Sequence, residues 1–242
     1  LENMDPEELR QALEELQMTS EELLENLDRS LSLMKQLAIE QKMDLLVELA
    51  ERILENQNQI NENVDAAPDS SALANQSQAC KNNSGQFDSL KEQFEQLEQM
   101  DADMKLVPEA EKADAEKQIN NPQIPQDFAG MMMSLCSGSK GMCQKRGESL
   151  SGNLEQVLEA LRRARDAMQQ EMLADITRKL QRASEDLLYL SRRQEGLLDS
   201  TRSFEGSAVS LRRFVGPESQ IEAAAIRIAE LISDVSKQTV FV

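Results

Sequence analysis

Cys80, Cys136 and Cys143 are the side chains of this 242-residue chain best suited to nucleophilic or redox chemistry, and they must work without histidine, which the chain lacks entirely. A catalytic thiol is activated by an imidazole or by a cationic, helix-end environment that lowers its pKa. Neither surrounds these three, so an enzyme is not expected. The missing imidazole also removes serine triads, His–carboxylate metal sites and every acid–base scheme built on histidine. Cys136 and Cys143 flank Ser-Gly-Ser-Lys-Gly-Met, a glycine-containing turn, and could close a small disulfide loop in an oxidising compartment. The plainer expectation is three buried or idle thiols. Their spacing does not suit zinc, and the odd count completes no disulfide framework.

The remaining candidates are carboxylates and methionines. Pairs such as Glu7/Glu8, Glu14/Glu15 and Glu21/Glu22 lack the Glu-x-x-His partner of bundle metal sites and read as solvated helix faces. Asp101-Ala-Asp103 has neither the glycine nor the closing glutamate of a calcium loop, and Gly138 to Gly141 lacks phosphate-loop spacing. No metal and no cofactor is expected. Met131, Met132, Met133 and Met142 form a soft apolar patch beside two cysteines. They suggest an interaction tip, or a short amphipathic helix plugging a core.

Composition decides what must position these groups. Aromatic residues make up 3% of the chain, with one Tyr and no Trp, and the net charge is −18. A Leu-, Glu- and Gln-rich chain of this kind builds long helices. Its acidity argues against nucleic acid, whose phosphates are met by Lys and Arg. Charge is uneven: residues 1–128 hold 10 basic and 29 acidic side chains, residues 129–242 hold 16 and 15. The C-terminal arginines interleave with acids, so they are expected to meet the acidic N-terminal helices rather than an anionic ligand.

Asp5-Pro6-Glu7-Glu8 opens a helix carrying Leu9, Leu13 and Leu16, and Thr19 to Glu22 suggests a turn and a second start. A long helix then carries a seam of Leu24, Leu27, Leu31, Leu46 and Leu49, and reaches about residue 63, roughly 65 Å at 1.5 Å per residue. Residues 1–64 form this first part. Residues 65–147 form a polar middle interrupted by Pro and Gly, with an amphipathic helix at 87–105, turns at Pro122 and Pro125, and the Met/Cys tip. Residues 148–242 return as a second long helix, with seam positions Leu154, Leu161, Ile176, Leu180 and Leu187, followed by a last helix from Gly216-Pro217-Glu218. The second long helix is expected to pack on 1–64. The fold class expected is all-α, an elongated bundle or antiparallel coiled-coil-like pair of long helices with a less regular middle.

Two segments carry a family resemblance. ELRQALEELQMTSEELLENLDRSLSLMKQLAIEQKMDLLVELAERILENQNQINE and LEALRRARDAMQQEMLADITRKLQRASEDLLYLSRRQEGLLDSTRSF resemble the soluble region of the bacterial predicted membrane proteins grouped as the domain of unknown function numbered 4175. That resemblance covers about two-thirds of the chain and implies transmembrane helices upstream of a long helical region. It brings no catalytic residue. The chain starts at Leu1 without Met, as expected of an excised piece. The function expected is a non-enzymatic structural or protein-interaction module: the extramembrane region of a bacterial envelope protein, periplasmic in preference, binding proteins or its own copies and touching the membrane only through segments absent here. The alternative is a cytoplasmic coiled-coil adaptor or chaperone-like binder.

Overall fold

Buried side chains spaced alternately three and four residues apart mark every long element of the structure, the pattern that keeps one helix face on its neighbours. The computed structural model describes residues 6–203 and 215–239, and they are all-α: α1 (Pro6–Ala66), α2 (Ser70–Ala74), α3 (Ser77–Met104), α4 (Glu109–Ile119), α5 (Gln123–Ser137), α6 (Lys140–Arg202) and α7 (Val215–Thr239). On α3 the buried series is Cys80, Asn83, Phe87, Leu90, Phe94, Leu97 and Asp101. On α6 it begins Cys143, Leu150, Leu154, Val157, Leu161, Ala164 and Met168. The chain divides into two compact units, Leu1–Met168 and Gln169–Val242.

The first unit is an up-down-up-down bundle, with direction set by its hydrogen bonds. Lys42 meets Gln96, Asn56 meets Gln86 and Asn63 meets Gln76, so α3 runs antiparallel to α1. Phe87 packs on Phe128 with ring centroids 6.2 Å apart, and Ser77 lies against Cys136, so α5 reverses again. Asp114 to Arg163, Asn121 to Asn153 and Asp127 to Ser149 set α4 and α5 in one line against a reversed α6. Glu51 to Arg162, Asn61 to Ser151 and Asp65 to Gln144 close α6 onto α1. The third arm is thus two helices in series, with Pro122 capping the second and Pro125 in its first turn, where a missing N–H costs nothing.

Several boundaries differ from the sequence expectation. Helix α1 runs through Thr19 and Ser20 unbroken. The N-cap at Asp5 and the tail after Thr239 lie outside the described residues, as do the side chains of the stripe Leu9, Leu13 and Leu16. Residues 65–147 are no irregular middle: α2 to α5 supply two of the bundle's four arms, and the helix expected at 87–105 begins at Ser77. Its Ser, Asn and Gly run stays helical because Cys80, Asn83 and Phe87 share one buried face. Residues 148–242, expected to pack on 1–64 as a long helix and a last helix, divide between the two units. Helix α6 belongs to the first unit only up to Met168, and its remainder pairs with α7 in the second.

Glycine placement gives a test of these helices. A Cβ at Gly85 or Gly152 meets nothing within 4 Å. Alanine at either site is expected to stabilise the first unit by about 0.5–1 kcal/mol, because a helical glycine forfeits backbone entropy. At Gly147, buried on α6, a Cβ would collide with the Asn61 carboxamide. There alanine is expected to destabilise, and urea midpoints of the three variants show the opposite signs. At Gly138 the need is conformational: φ is 71°, and the N–H groups of Gly138 and Ser139 close the end of α5 onto Leu135 and Ser134.

Candidate functional site

Cys136 and Cys143, which could close a disulfide loop by their spacing, are not joined. All three cysteines are free, with Cys136 exposed at the end of α5 and Cys143 buried. The reason is the helical turn that α6 makes on leaving Ser139, which carries Cys143 into the core towards Cys80 while Cys136 stays outside, 3.7 Å from Ser77 Oγ. Burial, with a smaller contribution from Cys143, pushes the Cys80 thiol up to about 11, and burial also raises Cys143. Both are neutral, inert thiols near pH 7. Ellman's reagent is therefore expected to label one thiol, Cys136, within minutes in the folded chain and three in urea. Rapid labelling of Cys80 or Cys143 in the folded chain would contradict their placement.

The methionine patch is split, since consecutive helical residues lie 100° apart and cannot share a face. Met131 is fully buried in the core and its Sδ receives a hydrogen bond from Gln57 Nε2 at 3.3 Å. Met132 is half-buried, while Met133 and Met142 are 74% and 57% exposed. The expected seam divides similarly. Leu46, Leu154, Leu161 and Ile176 are buried and Leu49 is half-buried. Leu24, Leu27 and Leu31 are more than half exposed, because α1 outruns its partner: extending the antiparallel pairing, α3 ends roughly opposite residue 36 of α1. Leu180 and Leu187 are 44% and 46% exposed in a unit of two helices, which covers one stripe of each.

The sequence reading missed the polar groups inside the bundle. Asn83 Nδ2 donates to Ile53 O at 3.1 Å and to Gln57 Oε1 at 3.3 Å. Gln57 Nε2 donates to Asn61 Oδ1 at 2.9 Å, and Asn61 Nδ2 to Ser151 Oγ at 2.9 Å. With Met131, all four arms contribute to this layer, and Asn83 Oδ1 is its one buried side-chain atom without a partner among the described residues. Such a layer fixes register, because long helices with an apolar repeat can slide by a heptad and a slide would strand these amides. Beside it, Asn56, Gln59, Asn63, Gln76, Asn82 and Gln86 line a 260 Å³ cleft between α1 and α3. The lining is neutral and offers hydrogen bonds but no nucleophile and no acid or base.

Two fully buried carboxylates anchor the third arm, Asp101 on α3 just ahead of it and Asp127 early in its second helix. Asp101 Oδ1 accepts the N–H groups of Leu106 and Val107 at 2.7 and 3.3 Å, and its Oδ2 accepts Lys112 Nζ at 3.3 Å. This holds the turn after α3, where Lys105 adopts φ 52°. Burial pulls Lys112 down, but the hydrogen bonds it donates to Glu109 and Asp101 outweigh that and hold its ammonium above the usual value. Asp127 receives Gln123 Nε2 at 2.9 Å, Arg146 Nη1 at 2.6 Å and Ser149 Oγ at 2.7 Å. Each of the four carboxylate oxygens has a donor within the fold, which makes both carboxylates structural.

Among the described residues, no group of three or more Cys, Asp or Glu is placed to hold a metal ion, and no helix is long and apolar enough to cross a membrane. What the surface offers instead is apolar side chains at helical spacing, on α1 ahead of the bundle and on the α6–α7 pair. Compared with known proteins, the chain matches no family model, no curated protein and no solved structure.

Proposed function

We propose that the chain is a non-enzymatic protein-interaction module, the extramembrane helical region of a bacterial envelope protein. The observation that supports this reading is the uncovered strip on α1: Leu24, Leu27, Leu31 and Met34 are 59%, 57%, 52% and 69% exposed at steps of three and four. Isolated exposed leucines are ordinary, but a strip at helical spacing is what an amphipathic helix presents to a partner helix. The bundle behind it, locked in register by the Gln57–Asn83 layer, gives that strip a rigid base. The envelope setting rests on the family resemblance.

Fractionation of the full-length native protein, with protease treatment of intact spheroplasts, tests the setting. Pelleting with membranes and digestion of this region support an outward-facing envelope module. Recovery in the soluble fraction overturns it in favour of the cytoplasmic adaptor, for which exposed Met133 and Met142 supply an adaptable surface. A photo-crosslinker placed at Leu27 tests the strip: it is expected to give a discrete adduct that Leu31→Glu abolishes.

A further inference from the structure

The second unit is a pair of helices, and a pair buries only one stripe of each. Arg193 Nη2 reaches Gln220 Oε1 at 2.9 Å, and Ala183, Leu190 and Ile228 form a small core with Ile221, Ala224 and Leu231 packed against it. Above that core lies an open cleft of 660 Å³ floored by Leu190, Ile228 and Leu231, with Tyr189 at its edge 62% exposed. Asp186, Arg193 and Arg227 stand on its rim. We propose that this face is a homodimer interface, on which the same face of a second copy packs so that two helix pairs become four antiparallel helices.

Charge selects the second copy as the occupant. Residues 1–168 hold 16 basic and 33 acidic side chains, so two copies repel wherever those surfaces meet. Residues 169–242 hold 10 basic and 11 acidic, and repulsion there is absent. The rim is also self-complementary. Asp186 and Arg193 lie two helical turns apart with Tyr189 between them. A two-fold axis crossing α6 at the level of Tyr189 sets Asp186 of each copy against Arg193 of the other, as an isologous interface requires. The size is sufficient: α7 has 25 residues and is roughly 37 Å long, and two helices side by side make a face of about 700 Å² per copy, near the usual 800 Å² per partner of a stable interface.

This inference rests on reading the chain as an interaction module, but it concerns other residues than the α1 strip, so either can fail alone. Sedimentation equilibrium of the intact chain is expected to show twice the 27.2 kDa of one copy. A monomer at concentrations of about 100 µM overturns the proposal. Tyr189 is exposed at the edge of that cleft, so Tyr189→Glu spares the fold and is expected to give a monomer with an unchanged helical circular dichroism signal. Asp186→Arg and Arg193→Asp are each expected to weaken self-association about tenfold or more by setting like charges against one another. Mixing those two variants in equal amounts restores every opposite-charge pair, so a heterodimer forms. A dimer unaffected by the single swaps, or a mixture that stays monomeric, places the contact elsewhere and ends the proposal.

Discussion

Arg146→Met is expected to destabilise the first unit by about 3 kcal/mol, although the side chain removed is 40% exposed. The loss falls on its partner. Asp127 is fully buried, and without the guanidinium it keeps only Gln123 and Ser149 as donors. A buried carboxylate stripped of its counter-charge costs far more than an exposed ion pair contributes. For a unit of this size the melting temperature is expected to fall by about 6–12 °C. Asp127→Asn in the same chain is expected to recover part of that loss, since it removes the stranded charge and keeps a polar atom for Ser149. Equal losses in the single and double variants would show that Arg146 acts through packing on Gly130 instead.

Phe128→Ala carries the second large effect, about 4 kcal/mol. Phe128 is among the largest fully buried side chains of the bundle, on α5, with the Phe87 ring tilted 43° against it. Truncation opens a cavity where α3 and α5 meet, and helices held in register by the neighbouring amide layer collapse poorly into it. Phe128→Leu keeps most of the volume and is expected to cost less than about 1.5 kcal/mol. The chain has no tryptophan and its single tyrosine, Tyr189, lies in the second unit. Tyrosine emission therefore follows that unit alone while circular dichroism follows both. A fall confined to the circular dichroism transition assigns the loss to the first unit, and a coincident fall in both signals contradicts the division.

The all-α class and the long C-terminal helix were readable from the leucine spacing, and Gly216-Pro217-Glu218 marked α7 to within two residues. The polar interior was not read, yet each of its members sits in register with an apolar stripe. Gln57 stands between Ile53 and Ile60, Asn83 between Cys80 and Phe87, and Asp127 between Ile124 and Met131, all at steps of three or four. A polar residue on such a stripe signals a paired interior group as readily as a gap in the helix. Leu24, Leu27 and Leu31 show the converse: periodicity identifies an apolar face but not what lies against it, and that depends on where α3 stops. Pro122 and Pro125 suggest turns by sequence, yet proline fits the opening of a helix as well, and that is where α5 places them.

The pairing of α1 with α6 has a temporal consequence. Glu51 and Arg162 are separated by 111 positions, and Asn61 and Ser151 by 90. At about 5–20 residues per second, a ribosome makes Arg162 roughly 5–20 s after Glu51. Throughout that interval the inner face of α1 from Ile39 to Val64 has at most α3 and α5 to cover it. Nascent chains must therefore pass several seconds as a three-armed intermediate with an open seam, the stage at which association with a holdase or with a neighbouring nascent chain competes with completion of the bundle.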